Sequence, residues 1–222
     1  MRIIRCGAVF RAVARIGCIG FHPSALRRLR GRGVIPWTIH GGERNVGTTL
    51  FWLREGTDDG PIASQSLFSI DPETVTARQL YDKVTNSLRS MLPGLLASIA
   101  AGKPPSHPQP TEGASICARR RPEDGRVDWT RPAEEIHRLI RAVGPPYPGA
   151  FTFTRGGDRL VLTAVRFTQP EGYYIGLPGQ VQARGPDGFT VACGDRRCID
   201  ILEWSGTGER PALHSILGGS SP

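Results

Sequence analysis

CIGFHPSALRRLRGRGVIPWTIHGG, residues 18–42, is followed after one further strand by the turn Asp58-Asp59-Gly60-Pro61-Ile62. Cys18 to Phe21 is a short apolar run that stops at His22. A run of that length and character reads as a buried parallel strand. Pro23 and Ser24 make a small-residue turn, and the loop 22–33 carries Arg27, Arg28, Arg30 and Arg32 with Gly31 and Gly33. Val34 to His40 reads as a short helix stopped by Gly41-Gly42. Val46 to Leu53, rich in Thr, Phe and Trp, reads as a second strand. One strand end presents His22 and the next presents Asp58. In an open α/β sheet ligands bind at the carboxyl ends of the strands, so the two residues are expected at one functional edge.

Upstream, residues 1–17 offer an apolar piece at Met1–Cys6 and one or two helical turns within Ala8–Ile16. Downstream, Ile62 to Ile70 is a third strand. Ala77 to Ala101 is a helix with Leu80, Val84, Leu88, Leu92, Leu95, Leu96 and Ile99 in one stripe, Thr76 and Gln79 in a capping box, and a kink at Pro93. KPPSHPQPTEGA, residues 103–114, is proline-rich and apolar-poor and reads as a linker. A second amphipathic helix, Ala133 to Val143, follows, with Thr130 as its N-cap and Gly144-Pro145-Pro146 as its stop. Strands at 150–154, 159–167, 179–184, 188–193 and 198–204 complete the chain and suggest a small barrel or sandwich. The organisation expected is a partial α/β domain over 1–102, the linker, and a β-rich domain over 115–222.

No apolar run approaches the roughly 20 residues of a membrane span, and arginines interrupt the apolar residues of the N-terminus, so a cytoplasmic protein is expected. The five cysteines are odd in number and scattered; Cys193 and Cys198 are the closest deliberate-looking pair. Buried thiols are expected, with no metal site. The net charge of +8 and pI near 9.8 raise nucleic acid as a partner. The arginines are spread along the chain, which leaves RNA a secondary expectation.

The run His22-Pro23-Ser24, Arg30-Gly31, Trp37, Gly47-Thr48-Thr49 and Asp58-x-Gly60-x-Ile62 resembles the core of the folate-dependent formyltransferases. Arg119-Arg120-Arg121-Pro122-Glu123-Asp124-Gly125, Asp128-Trp129, Arg141-Ala142-Val143 and Tyr147-Pro148-Gly149-Ala150-Phe151 are similar to the C-terminal region of the branches that modify tRNA and nucleotide sugars. The resemblance implies a Rossmann-like catalytic domain, here lacking the family's first βαβ units, followed by an OB-like barrel domain. It implies 10-formyltetrahydrofolate as formyl donor and an amine as acceptor. The Arg-Arg-x-Pro-x-Asp run before Asp-Trp leans towards a nucleotide-linked amino sugar. Methionyl-tRNA is the alternative acceptor, and a catalytically inactive binding module is the alternative from another class.

Formyl transfer to an amine passes through a tetrahedral oxyanion, so the site must take a proton from the amine and stabilise that oxygen. His22 and Asp58 are the expected catalytic pair; the Asp-x-Gly-x-Ile spacing selects Asp58 over Asp59. Ser24, Arg30, Gly31 and Gly60 are the expected donor-binding positions. Ser24 either binds ligand or completes the turn, and Arg30 either meets an anionic group or is structural. His40, His107, His137 and His214 read as surface or helix residues, and Trp37, Trp129 and Trp204 as core. Two departures stand out. Gly20 occupies the position where the family usually has Asn, which removes an oxyanion donor. The missing βαβ structure should leave the strand at 18–21 with an open edge and an exposed apolar face, as in a truncated product, a misplaced start or a fragment that needs a partner.

Overall fold

The computed structural model describes residues 8–170, 172–206 and 210–219, so the expected apolar piece at Met1–Cys6 lies outside the described residues. The chain divides into two compact units. The first comprises Met1–Thr38, Glu43–Asp71 and Gln79–Arg120; the second comprises Ile39–Gly42, Pro72–Arg78 and Arg121–Pro222.

The elements up to residue 120 are α1 (Ala8–Val13), β1 (Ile19–His22), β2 (Arg30–Gly31), α2 (Val34–His40), β3 (Asn45–Trp52), β4 (Ile62–Ser69), α3 (Ala77–Ala100) and β5 (Ile116–Cys117). β1, β3 and β4 form a three-stranded sheet in that order. The expectation of a parallel β1 is corrected: β1 runs antiparallel to β3, with Ile19 opposite Trp52 and His22 opposite Thr49. An apolar run of four residues reports burial, not direction. β1 lies at one edge of this sheet, and Phe21 on it is 42% exposed.

α3 covers the sheet through Leu95, with Leu88, Met91 and Ile99 partly buried against Leu50 and Ala63. Leu80 and Val84 are buried too, but Leu92 and Leu96 are exposed, so the buried stripe is narrower than the leucine spacing suggests. The helix continues through Pro93.

Residues 103–114 are not a free linker. The backbone of His107 exchanges two hydrogen bonds with Ile62, and the Pro105 carbonyl accepts from Trp52 Nε1 at 2.7 Å. Prolines remove amide donors from this segment, but its carbonyls still accept from β4 and Trp52. β5 pairs parallel with β2, so residues 115–120 belong with the first unit as well.

The second unit carries a short 3₁₀ turn (Pro122–Gly125), α4 (Ala133–Val143), β6 (Ala150–Phe153), β7 (Arg159–Phe167), β8 (Val181–Gly185), β9 (Gly188–Ala192) and β10 (Cys198–Ser205). These strands fall within two residues of the sequence reading at each end and make one antiparallel sheet in the order β6-β7-β10-β9-β8. Among the described residues β6 and β8 are its edges and do not pair with each other. The C-terminal segment spans that gap. The His214 amide donates to the Val181 carbonyl, the Val181 amide donates to Ser215, and the Gly218 amide donates to the Phe153 carbonyl on β6. Trp129 is buried, its Nε1 donating to Thr152 Oγ1 at 2.9 Å. Thr130 is not the cap of α4: Pro132 holds that position, and Thr130 donates to Asp128 Oδ1 through both its amide and its hydroxyl.

His137 is a helix residue, as read, but it does not lie on the surface. It is 5% exposed on α4 and stacks on Phe167 with ring centroids 4.2 Å apart. Burial pushes it down to about 3, helped by the charges of Arg141 and Arg138. Its folded value lies below its unfolded value of 6.5, so the stability it protects is complete above about 6.5 and is lost as pH falls towards 3. Between those limits this residue is expected to cost about 1.4 kcal/mol of stability per pH unit. Replacing His137 with Phe should flatten that part of the profile, read by denaturant melts from pH 7 to 4; an unchanged slope would refute the assignment.

Candidate functional site

His22 ends β1 with its side chain buried, and the loop that follows folds back over it. Ser24 donates its hydroxyl to the Arg28 carbonyl at 2.7 Å, and the Thr49 hydroxyl donates to the Ser24 carbonyl at 2.7 Å. These bonds close the turn. They bring the Leu29 carbonyl to 2.7 Å from His22 Nε2. A carbonyl only accepts, so Nε2 carries the hydrogen in this bond. Nδ1 faces the other way, 3.5 Å from Asp58 Oδ2.

Asp58 does not arrive by the route the sequence suggests. With β3 antiparallel to β1, the ends of the two strands lie at opposite ends of their ladder. The loop between β3 and β4 returns along the sheet instead. Asp58 sits at φ +49°, a left-handed conformation that Asp and Asn tolerate better than most residues. Its Oδ2 accepts the Gly31 amide at 2.7 Å. Gly31 has φ +93°, and a Cβ there would lie 2.6 Å from the Cys117 carbonyl oxygen, so glycine is what lets β2 and β5 approach this closely. Gly60 has a similar reason: a Cβ there would lie 1.6 Å from the Trp52 carbonyl oxygen.

The residue that spacing did not find is Gln109. Its Nε2 donates to the carbonyls of Asp58 (2.9 Å) and Gly60 (2.7 Å). Its Oε1 accepts from Arg30 Nε (3.1 Å) and Nη2 (2.7 Å). Arg30 is thereby engaged within the protein. Gln109 lies in the proline-rich segment read as linker, and no local pattern marks it.

Gly20 faces Phe51 across the ladder. A Cβ at Gly20 would meet Leu53 Cδ2 at 2.6 Å and the Phe51 ring at 2.8 Å, so the place of a side chain on this strand, two residues before His22, is filled by those two groups. The Phe51 ring also stands edge-on to His22 at 6.5 Å. Two cavities lie away from the His22–Asp58 pair. One of about 360 Å³ opens beside Cys18, Trp52 and Arg54, at the end of β1 away from His22, and one of about 520 Å³ lies in the second unit beside Asp128 and Trp129.

The N-terminal profile of the formyl transferases matches residues 1–96, and the profile described as formyl transferase, C-terminal domain, matches residues 119–214. The chain belongs to the formyl transferase family. It is 36% identical over 213 residues to the methionyl-tRNA formyltransferase of Myxococcus xanthus (strain DK1622), covering 93% of this chain and 66% of that protein. The chain therefore spans just under two thirds of the length of this relative. Among solved structures it is similar to HypX from Aquifex aeolicus in complex with tetrahydrofolic acid, with TM-score 0.67 and 22% identity over 90% of this chain and 33% of that one. It is also similar to the N-formyltransferase of Helicobacter canadensis in complex with folinic acid and dTDP-3-aminofucose, with TM-score 0.64 and 21% identity over 83% of this chain and 65% of that one. Likeness at that identity speaks to the shared fold. No helix among the described residues is long and apolar enough to cross a membrane.

Proposed function

We propose that this chain transfers the formyl group of 10-formyltetrahydrofolate to a primary amine in the cytoplasm, and that the amine belongs to a nucleotide-linked sugar. The observation that carries the reading is the His22–Asp58 pair, with the carboxylate held on the Gly31 amide and aimed at the imidazole. The amine nitrogen forms a bond to the formyl carbon, the carbonyl oxygen takes negative charge, and the bond to N10 of the folate then breaks. The proton lost by the amine passes to Asp58, directly or by a water, and the same carboxyl returns one to N10. Asp58 suits this task because its side chain is 24% exposed while Oδ2 stays anchored. His22 suits the stabilisation of the negative oxygen, because its Nε2–H can move from the Leu29 carbonyl to the developing oxyanion. Catalytic hydrogen bonds often form only with substrate in place. The side chain usually placed at position 20 is missing, which puts more of the oxyanion's stabilisation on that single donor.

The charge distribution supports a small acceptor. Residues 121–222 hold twelve arginines against twelve acidic residues, so the whole +8 resides in residues 1–120. A C-terminal domain that clamps tRNA is expected to be basic, and this one is neutral. Methionyl-tRNA remains the second reading, because a methionyl-tRNA formyltransferase is 36% identical over 93% of this chain. The test is a formyl-transfer assay with 10-formyltetrahydrofolate and, in parallel, UDP- and dTDP-amino sugars and methionyl-tRNA. Turnover on a nucleotide amino sugar supports the proposal. Turnover on tRNA alone, with steep salt dependence, replaces it with the second reading, and no turnover on any amine overturns both.

A further inference from the structure

The geometry points to Gln109 as the positioning residue of the His22–Asp58 pair. This rests on the catalytic role proposed for that pair. A carboxamide has two hydrogens to give and two lone pairs to receive with, and Gln109 uses all four. Both hydrogens go to backbone carbonyls of the acidic turn, at Asp58 and Gly60, 51 and 49 residues away. Both acceptor sites go to one arginine, Arg30, 79 residues away. Arg30 is the residue directly before Gly31, whose amide holds Asp58 Oδ2.

One side chain thus ties together the two backbone segments whose separation sets where the carboxylate lies. The turn is otherwise exposed: Glu55, Gly56, Thr57 and Asp59 all face solvent, and Asp58 stands in a left-handed conformation that local preference does not secure. Without Gln109, the Asp58 and Gly60 carbonyls lose their donor and the turn loses its tie to the Arg30 side chain, leaving the Gly31 amide bond as its remaining attachment to β2. The His22 imidazole, in contrast, is held by β1 and by the Leu29 carbonyl and would stay in place. The expected consequence is a change in the distance between the two catalytic groups, with the fold intact.

Gln109 touches neither reacting atom, so its signature is an effect routed through Asp58. In the full chain, Gln109→Leu should lower kcat for formyl transfer by about 10–100-fold, as small misplacements of catalytic groups do, with little change in KM. Gln109→Glu keeps an acceptor for Arg30 but gives no hydrogen to the turn, and should behave like the leucine variant. In an Asp58→Asn background, Gln109→Leu should cost little more, because residues acting as one unit are not additive. Amide hydrogen exchange supplies a readout that needs no activity. The Gly31 amide should exchange faster in Gln109→Leu, while the Val46 and Leu50 amides of β3 stay as protected as before. Unchanged Gly31 exchange overturns the inference. So does full additivity with Asp58→Asn, and so does a general loss of protection and melting temperature, which would make Gln109 a plain structural latch. If the unsubstituted chain transfers no formyl group, the functional reading fails, and the exchange experiment alone decides whether Gln109 positions the turn.

Discussion

Asp58→Asn is expected to lower the rate of formyl transfer by about 10²–10⁴-fold, the range associated with a positioned acid or base, with little effect on stability. The substitution is chosen for its backbone. At φ +49° an alanine would add strain, whereas asparagine occupies this region nearly as readily as aspartate. The carboxamide oxygen can still accept the Gly31 amide, so the turn keeps its anchor. What is lost is the negative charge 3.5 Å from His22 Nδ1 and the ability to take a proton from the amine. Steady-state kinetics and a thermal melt of the same preparation separate the two effects. Activity near that of the parent chain would remove Asp58 from the mechanism. Equal losses of activity and melting temperature would make it a structural residue. His22→Ala should be at least as damaging to turnover, but it also leaves the Leu29 carbonyl without its donor, so it reads the mechanism less cleanly.

The second large effect is expected at Gly60. Its ideal Cβ position lies 1.6 Å from the Trp52 carbonyl oxygen, a backbone atom that cannot step aside. That residue is held in turn: the Trp52 amide donates to the Pro61 carbonyl, and Trp52 pairs with Ile19 on β1. Gly60→Ala must therefore push the turn off the sheet, at a cost on the order of 4 kcal/mol, the upper end for single substitutions. For a chain of this size that corresponds to a melting temperature lowered by roughly 8–16 °C. The same displacement carries Asp58 away from His22, so activity should fall together with stability. The experiment separates two meanings of a glycine at this position. If Gly60→Ala melts like the parent and only raises KM for the folate donor, Gly60 is a ligand contact and the packing account is wrong.

The site was partly legible for a specific reason. His22 and Asp58 were singled out by their places at strand ends together with the motifs that resemble the family's, and those survive any rearrangement of the loops between them. Their route to one another was not found. Strand direction leaves no trace in a four-residue apolar run, so β1 read as parallel and the pair read as neighbours on one sheet edge. The antiparallel pairing moves those strand ends apart, and the contact depends on a loop that doubles back. Gln109 was missed because each of its partners is at least 49 residues distant and its own surroundings are prolines. His137 looked like one more polar residue on an amphipathic helix; it packs against Phe167 because β7 happens to lie under that face.

Local order needed nothing beyond the chain itself. Periodicity, glycine stops and β-branched runs placed α2 and α4 at their observed bounds, and placed α3 and the five strands after residue 149 within a residue or two. These signals are local, because helix and strand periods arise from neighbouring residues sharing a face. Tertiary structure alone decided which strand edges the C-terminal segment spans, which carbonyls a proline-rich stretch offers to β4, and how a carboxamide ties Asp58 to Arg30. Those are choices among partners distant along the chain, settled by packing and by the need to satisfy buried polar groups, and no short window of sequence contains both members of the pair.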